Sequence, residues 1–168
     1  KQMKESKQAK PAKDPVVDFM ESLYWLTPMP ERKDSTLAYV IPDDAEFGFP
    51  CVAFKAAAVS ACRFSDGLKM TVARGAFHVN GELAKIEGDA PVIREDMVKI
   101  AMGTADIRYR GEFKKWKCSF TIRYNANMIS PEQVLNLFDT AGFAIGVGEW
   151  RPQRDGSFGM FHVATKGE

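Results

Sequence analysis

The sequence predicts an α+β fold in which helices cover one face of an antiparallel sheet. Apolar residues recur at helical spacing in three segments, and short runs that alternate between apolar and polar residues lie between them. The composition, 45% hydrophobic and 27% charged over 168 residues, is ordinary for a folded protein of one domain. We therefore expect a single domain over residues 14–168.

The first thirteen residues differ from the rest because they contain five lysines, one glutamate and no aromatic residue. Such a segment is typical of a disordered, solubilising tail, although it also suits non-specific contact with phosphates. The three cysteines have no C-x-x-C spacing, and neither a signal pattern nor a run of eighteen apolar residues is present. The sequence thus predicts a cytoplasmic protein without disulfides or a membrane span.

Three helices are predicted from capping residues and apolar periodicity. They cover about 15–26, 51–64 and 131–141; the last begins with Ser130 and Gln133 at capping-box spacing and ends at Gly142. Residues 91–101 fit either a short helix or a strand. The other regular segments predict strands over 35–41, 69–73, 76–79, 82–86, 105–110 and 116–124.

Two turns are expected to pair consecutive strands. Asn80-Gly81 is the strongest hairpin signal in the chain and predicts that 76–79 pairs with 82–86. The polar tip GEFKK predicts that 105–110 pairs with 116–124.

An internal repeat is predicted at an offset of 84 residues. GAFHV at Gly75–Val79 matches GMFHV at Gly159–Val163, and the strands 35–40 and 119–124 share that offset. The elements around both copies follow in the same order, which predicts two βαβ-type halves, 35–88 and 105–165. The expected architecture is a split or duplicated ferredoxin-like fold.

Alternation along the strands at 105–110 and 116–124 predicts one apolar face and one cationic face. The cationic face would carry Arg108, Arg110, Lys117 and Arg123. Four cations on one sheet face suit a phosphate backbone, because lysine and arginine both donate to phosphate oxygens. A solvated face balanced by nearby carboxylates explains the same pattern equally well.

Two histidines, His78 and His162, occupy equivalent positions of the repeat and are predicted to point outward, since their Phe and Val neighbours suit the core. A histidine titrates near neutral pH, so either is a candidate general acid or base in RNA cleavage. A plain surface histidine is the commoner outcome. No metal site, no nucleotide-binding motif and no cofactor is predicted, because the spacings that such sites need are lacking.

The segment from Gly146 to Val163 combines four glycines with aromatic and cationic residues. Gly146, Gly148, Gly156 and Gly159 allow a tightly folded backbone, Arg151 and Arg154 suit phosphates, and Trp150 and Phe158 suit base stacking. The alternative interpretation is a long β-hairpin whose glycines only relieve twist and whose Trp packs on the sheet edge.

The same segment resembles the glycine-rich loop of the RAMP superfamily, the ferredoxin-like RNA-binding proteins of CRISPR systems. The matching residues are Gly146, Gly148, Arg151, Arg154, Phe158 and Gly159. The sequence departs from the family pattern at Glu149 and at the final Gly-Ser-Phe-Gly of the loop. GSFGMFHV also resembles the octapeptide of RNA-recognition motifs, without its leading basic residue. Residues 105–163 as a whole are similar to uncharacterised bacteriophage and prophage proteins.

These resemblances imply an RRM- or RAMP-type fold whose glycine-rich loop contacts an RNA backbone. We expect a protein that binds RNA or single-stranded nucleic acid in a ribonucleoprotein or antiviral-defence complex, and that is not primarily an enzyme. Two alternatives stay open: a phage-encoded protein that binds a host defence factor or an assembly partner, and a metal-independent RNase.

Overall fold

A computed structural model of the chain describes residues 13–31, 41–65, 67–99, 105–165 and 167. Over these residues the fold is mixed α+β, with four α-helices and seven short strands that form small sheets. The strand predicted at 35–41 and the tail predicted at 1–13 lie almost wholly outside the described residues. None of the described helices is long and apolar enough to cross a membrane.

The chain divides into two compact units. The first comprises Lys1–Phe47 with Glu87–Trp116, and the second comprises Gly48–Ile86 with Lys117–Glu168. Each unit therefore contains two stretches of sequence that are distant along the chain.

The first unit contains helix α1 (Pro15–Glu21) and the hairpin of β4 (Val92–Lys99) with β5 (Ala105–Glu112). The Asp14 carboxylate accepts hydrogen bonds from the first-turn amides and caps α1. The helix ends at Glu21, five residues before the predicted end. The core of the first unit consists of Phe19, Met20, Leu23 and Phe47, with Trp25 and Phe113 packed against them.

Helix α1 packs against β5, and a glycine permits the close approach. A Cβ on Gly111 would overlap the side chain of Leu23. The Gly111 amide also donates to Ser22 Oγ at 2.8 Å, directly after the helix. The segment 91–101, which fits either a helix or a strand by sequence, forms β4 over Val92–Lys99. Every residue of β4 pairs with a residue of β5.

The second unit contains helices α2 (Cys51–Ala61), α3 (Met70–Ala76) and α4 (Pro131–Ala144), with strands β2 (Phe77–Val79) and β7 (Ile122–Tyr124). Helix α2 packs against α4, and a 3-10 turn at Cys62–Phe64 extends it to the predicted end. An aromatic cluster fills the core: Phe49, Phe54, Phe77, Phe120, Phe138 and Phe161. Cys51 and Cys62 are buried free thiols within this unit, as small hydrophobic residues would be.

Three further strands, β1 (Phe47–Pro50), β3 (Leu83–Gly88) and β6 (Trp116–Cys118), form a sheet in the order β1-β3-β6. The boundaries between the two units fall within these strands. Residues 47–50 lie outside the strands that the sequence predicts, yet they form β1.

Several sequence predictions about pairing are wrong. The Asn80-Gly81 turn exists, with Gly81 at φ +91°, but β2 pairs with β7 and β3 pairs with β1 and β6. The GEFKK tip likewise joins strands that have different partners, because β5 pairs with β4. The predicted strand at 69–73 is helix α3, and the predicted strand 116–124 is divided into β6 and β7.

Helix α4 has the predicted capping box: Ser130 Oγ accepts from the Gln133 amide, and Gln133 Oε1 accepts from the Ser130 amide. Gly142 does not end the helix. The helix continues to Ala144, and Gly146 at φ +69° takes the left-handed position after it, donating its amide to Ala141 O at 2.8 Å. Gly142 is instead the point where the backbone of Phe161 crosses the helix, with the Phe161 amide donating to Gly142 O at 3.2 Å.

Candidate nucleic-acid interface

The segment 146–160 is a loop folded on itself and not a β-hairpin. It contains no strand, and its only regular element is a 3-10 turn at Pro152–Arg154. Its two ends are held together because the Val147 amide donates to Gly159 O at 2.9 Å. Further along, the Phe158 amide donates to Trp150 O at 3.1 Å. We call residues 146–160 the glycine loop.

The four glycines of this loop serve its internal packing. A Cβ on Gly159 would overlap the Val147 carbonyl, and one on Gly156 would stand 2.6 Å from Cδ1 of Trp150. Gly146 and Gly148 adopt φ of +69° and +76°, in the left-handed region that favours glycine. The amides of Gly146, Val147, Gly156 and Phe158 all donate within the protein. The loop is therefore a preformed surface, and these amides are already used by backbone carbonyls of the loop and of α4.

Trp150 is the most exposed aromatic side chain of the glycine loop, at 59%. Its φ is +52°, which is unusual for a bulky residue and carries a conformational cost. The neighbouring hydrogen bonds at Trp150 O and Arg151 O hold that backbone in place. Phe158 and Met160, at 39% and 43% exposure, are also partly accessible. The fold thus maintains a strained backbone that presents an indole ring to solvent.

The two arginines of the glycine loop differ in their partners. Arg151 Nη1 donates to Gly148 O at 2.9 Å, and its Nε and Nη2 donate to Gln153 Oε1. Arg151 therefore stabilises the loop itself. Arg154 lies at the end of the 3-10 turn and is exposed, directly before the left-handed Asp155. Of the two, Arg154 is the one whose guanidinium is better placed for a ligand.

The four cations predicted on one sheet face divide between the two units. Arg108 and Arg110 lie on β5 in the first unit, whereas Lys117 and Arg123 lie in the second. The alternation behind the prediction is confirmed only over 116–123, where the even-numbered side chains are half-buried and the odd-numbered ones are exposed. It fails elsewhere, because Ile107 and Tyr124 are exposed and Arg110 is half-buried. The pairing that would have joined both strands into one face does not form.

Arg110 is engaged in an ion-pair network within the β4–β5 hairpin. Its Nη1 lies 2.9 Å from Asp96 Oδ2, and Arg94 holds the same carboxylate through Nε and Nη2. Desolvation raises the pKa of Asp96, but the hydrogen bonds from Arg94 and Arg110 outweigh it and leave the pKa below its ordinary value. This part of the predicted cationic face is therefore balanced by a carboxylate.

Arg108 is paired less closely, with its Nε 3.6 Å from Asp106 Oδ2. Asp106 Oδ1 also accepts a hydrogen bond from Nζ of Lys13, the last residue of the predicted tail, at 2.5 Å. The hydrogen bond from Lys13 is the main cause that lowers the pKa of Asp106. For Arg108 and Arg110 the balanced, solvated face describes the geometry better than an open phosphate site.

Both histidines point outward as predicted, each exposed between more buried Phe and Val neighbours. His78 has a partner that the sequence did not reveal: Nζ of Lys55, on α2, lies 3.0 Å from its Nδ1. Arg123 stands directly opposite His78 in the β2–β7 pair. Sequence reasoning missed Lys55 because the contact depends on the packing of α2 against β2, and its strand pairing placed β2 beside β3.

Within the described part of the chain, no three His, Cys, Asp or Glu side chains converge in a way that would hold a metal ion. Burial is the main cause that raises the pKa of Cys51 and Cys62, so these thiols lack the thiolate character of a nucleophile or ligand. Comparison of the chain with protein-family models, with curated proteins and with solved structures gives no match. The resemblances to RAMP and phage proteins therefore stay predictions.

Proposed function

We propose that this protein binds RNA or single-stranded nucleic acid through its second unit, as a component of a ribonucleoprotein or defence-related complex in the cytoplasm. The observation that carries the proposal is Trp150. An indole that is 59% exposed, on a backbone fixed by internal hydrogen bonds, is a stacking platform whose ordering cost is already met in the free protein.

The charge distribution supports the same unit. The sequence of the second unit contains ten Lys and Arg against seven Asp and Glu, a net +3, whereas that of the first contains thirteen against fifteen, a net −2. A polyanion is attracted to the cationic unit, and the exposed Arg154 and Arg123 belong to it. Arg108 and Arg110, paired with carboxylates in the other unit, have no role in this proposal.

The proposal includes a ferredoxin-like fold of the RRM or RAMP type for the second unit. Its support is the antiparallel pair β2–β7 with α2 packed on β2 and α4 packed on α2. The glycine loop would correspond to the RNA-contacting loop that the resemblance implies.

The test measures, by fluorescence anisotropy, the binding of single-stranded RNA and DNA oligonucleotides to the intact protein. Trp150→Ala is expected to weaken binding by about 5- to 150-fold, since stacking of one base contributes about 1–3 kcal/mol. Phe143→Ala is the control, because Phe143, at 75% exposure, is an even more exposed aromatic of the same unit and lies outside the loop. It should change the affinity less than twofold.

Arg154→Ala separates phosphate contact from stacking. It should reduce the slope of log K against log salt by about one, while Trp150→Ala should leave that slope unchanged. Absence of any binding at about 50 mM salt, where phosphate contacts are strong, would overturn the proposal.

A second candidate function is docking of a protein partner. The observation in its favour is that Phe158 and Met160 accompany Trp150 among the exposed apolar side chains of the loop segment, a composition common at interface centres. A phage-encoded protein that binds a host defence factor would use the same loop. Stoichiometric capture of a protein that Trp150→Ala releases, by a chain that binds no oligonucleotide, would favour this function.

A further inference from the structure

Three basic side chains of the second unit converge on the exposed face of the β2–β7 pair. Lys55 Nζ lies 3.0 Å from His78 Nδ1. His78 and Arg123 are direct partners in the antiparallel register, so their side chains leave the pair on the same face, with Cβ atoms about 5 Å apart. We call Lys55, His78 and Arg123 the basic triad.

No carboxylate of the surrounding elements balances the triad. The described elements that mainly pack against β2 are α2, α3 and β7, and none of them, nor β2 itself, contains an Asp or Glu. The other charged group that they carry is Arg74 on α3, a further cation. Among the described residues, no member of the triad forms an ion pair. The arrangement contrasts with the β4–β5 hairpin, where Arg94 and Arg110 both pair with Asp96.

Convergence of like charges without a counter-charge is unfavourable in the free protein. Lys55 Nζ and His78 Nδ1 lie within hydrogen-bond distance of each other, at 3.0 Å. An anion on this face would relieve the repulsion and receive donors from all three side chains. Lysine supplies a point charge, and the arginine guanidinium supplies a two-pronged donor that matches two oxygens of one phosphate.

We propose that the basic triad is a binding site for the phosphate group of a phosphomonoester. A monoester carries close to two negative charges at neutral pH, whereas an internal phosphodiester carries one. Two permanent cations and one imidazole therefore complement a monoester better than a nucleic-acid backbone phosphate. This site goes beyond the role of the glycine loop, because it requires neither Trp150 nor a nucleic acid.

The first experiment is an NMR titration of the full chain with inorganic phosphate at constant ionic strength, observed at the imidazole resonances. The chain has two histidines, so His162 is an internal control. We expect the His78 resonances to move along a saturating curve and those of His162 to stay in place. Equal movement of both, or movement that never saturates, would overturn the proposal.

The second experiment uses variants that remove the positive charge and keep a polar side chain. Lys55→Gln and Arg123→Gln should each weaken phosphate binding by at least tenfold, because each removes one of the charges. Arg63→Gln is the matched control, since Arg63 is exposed just after α2 and lies eight residues, or about 12 Å of helix rise, from Lys55. Unchanged phosphate binding by Arg123→Gln would contradict the site.

The third experiment identifies the source of the phosphate. If it belongs to a strand end, a 5′-phosphorylated oligonucleotide should bind at least tenfold tighter than its 5′-hydroxyl counterpart, and Arg123→Gln should abolish the difference. If both bind equally while inorganic phosphate saturates His78, the ligand is a free phosphate or a small phosphomonoester. Trp150→Ala should not alter the phosphate titration. Loss of oligonucleotide binding thus tests the proposed function, and loss of the His78 response tests the triad.

Discussion

Gly142 and Gly75 both lie in helices of the second unit, and replacing each with alanine should change stability in opposite directions. Both substitutions gain helix propensity, about 0.5–1 kcal/mol each. Around Gly75 nothing lies within 4 Å of the added methyl group. Gly75→Ala is therefore expected to raise the free energy of unfolding by about 0.5–1 kcal/mol.

At Gly142 the added Cβ would overlap the Phe161 carbonyl, standing 2.5 Å from its carbon and 2.9 Å from Cδ2. Carbon atoms need about 3.5 Å, so the crossing segment must move by about 1 Å. Overpacking of this kind costs about 1–3 kcal/mol. The displaced Phe161 amide also loses its hydrogen bond to Gly142 O, a further loss of about 1 kcal/mol.

Subtracting the propensity gain leaves a net destabilisation of about 1–3 kcal/mol for Gly142→Ala. Urea unfolding followed by circular dichroism measures both variants against the parent chain. The two variants should differ by about 2–4 kcal/mol. A Gly142→Ala variant as stable as Gly75→Ala would refute the argument, because it would mean that the Phe161 segment does not cross the helix at that point.

Substitutions at three other positions test separate features. Ser130→Ala removes the hydrogen bond that Ser130 Oγ accepts in the capping box and should lower the free energy of unfolding by about 1 kcal/mol. Ser130→Asp should retain most of that stabilisation, because Asp also caps helices well. Phe54→Ala, at a buried ring that contacts three other aromatic rings, should cost about 3–5 kcal/mol in urea unfolding. The lowered pKa of Asp96 means that its stabilisation is present above the ordinary carboxyl pKa and is lost as pH falls through the lowered value. Asp96→Asn should therefore flatten the acid limb of a stability–pH profile, and an unchanged limb would exclude that role.

The helices of the second unit were largely predictable because their signals are local. Pro50 and the Ser130–Gln133 box mark where α2 and α4 begin, and apolar periodicity covers their lengths. Helix α3 was missed because it has only seven residues and includes β-branched side chains. Its two buried alanines, Ala73 and Ala76, gain their stabilisation from tertiary packing, which periodicity over so short a stretch does not reveal.

Strand pairing was the weaker part, because partners are chosen by contacts distant in sequence. The chain bends at Gly81, but the hairpin that Asn80-Gly81 predicts does not form, and Phe77 pairs with Tyr124, 47 residues away. Because strand partners were not predictable, the sequence also did not show which carboxylates lie beside the arginines of β5. Alternation places Arg108 and Arg110 on one face, but only the pairing with β4 puts Asp96 beside them. Lys55 was missed for the same reason, since its neighbour His78 belongs to another element.

The composition of the sequence identifies the glycine loop, but it does not predict the hydrogen bonds that close the loop. Glycine, tryptophan and arginine predict a tightly folded, ligand-facing segment, but they do not say which amide meets which carbonyl. The bond from Val147 to Gly159, and the use of Arg151 as an internal brace, appear only when the backbone is in place.

The close approach of Gly88 to Lys115 indicates where the chain can tolerate a change in length. The Asp89 amide donates to Lys115 O at 3.1 Å, and a Cβ on Gly88 would overlap that carbonyl. Residues 89–114, which include the β4–β5 hairpin, thus leave the neighbouring strands β3 and β6 and return to them at one point. Because the ends of this segment meet, lengthening it costs the neighbouring strands little, about 0.6 kcal/mol of loop-closure entropy per doubling of length. Residues 89–114 have the geometry of an insertion, and length variation among related chains is expected to concentrate there.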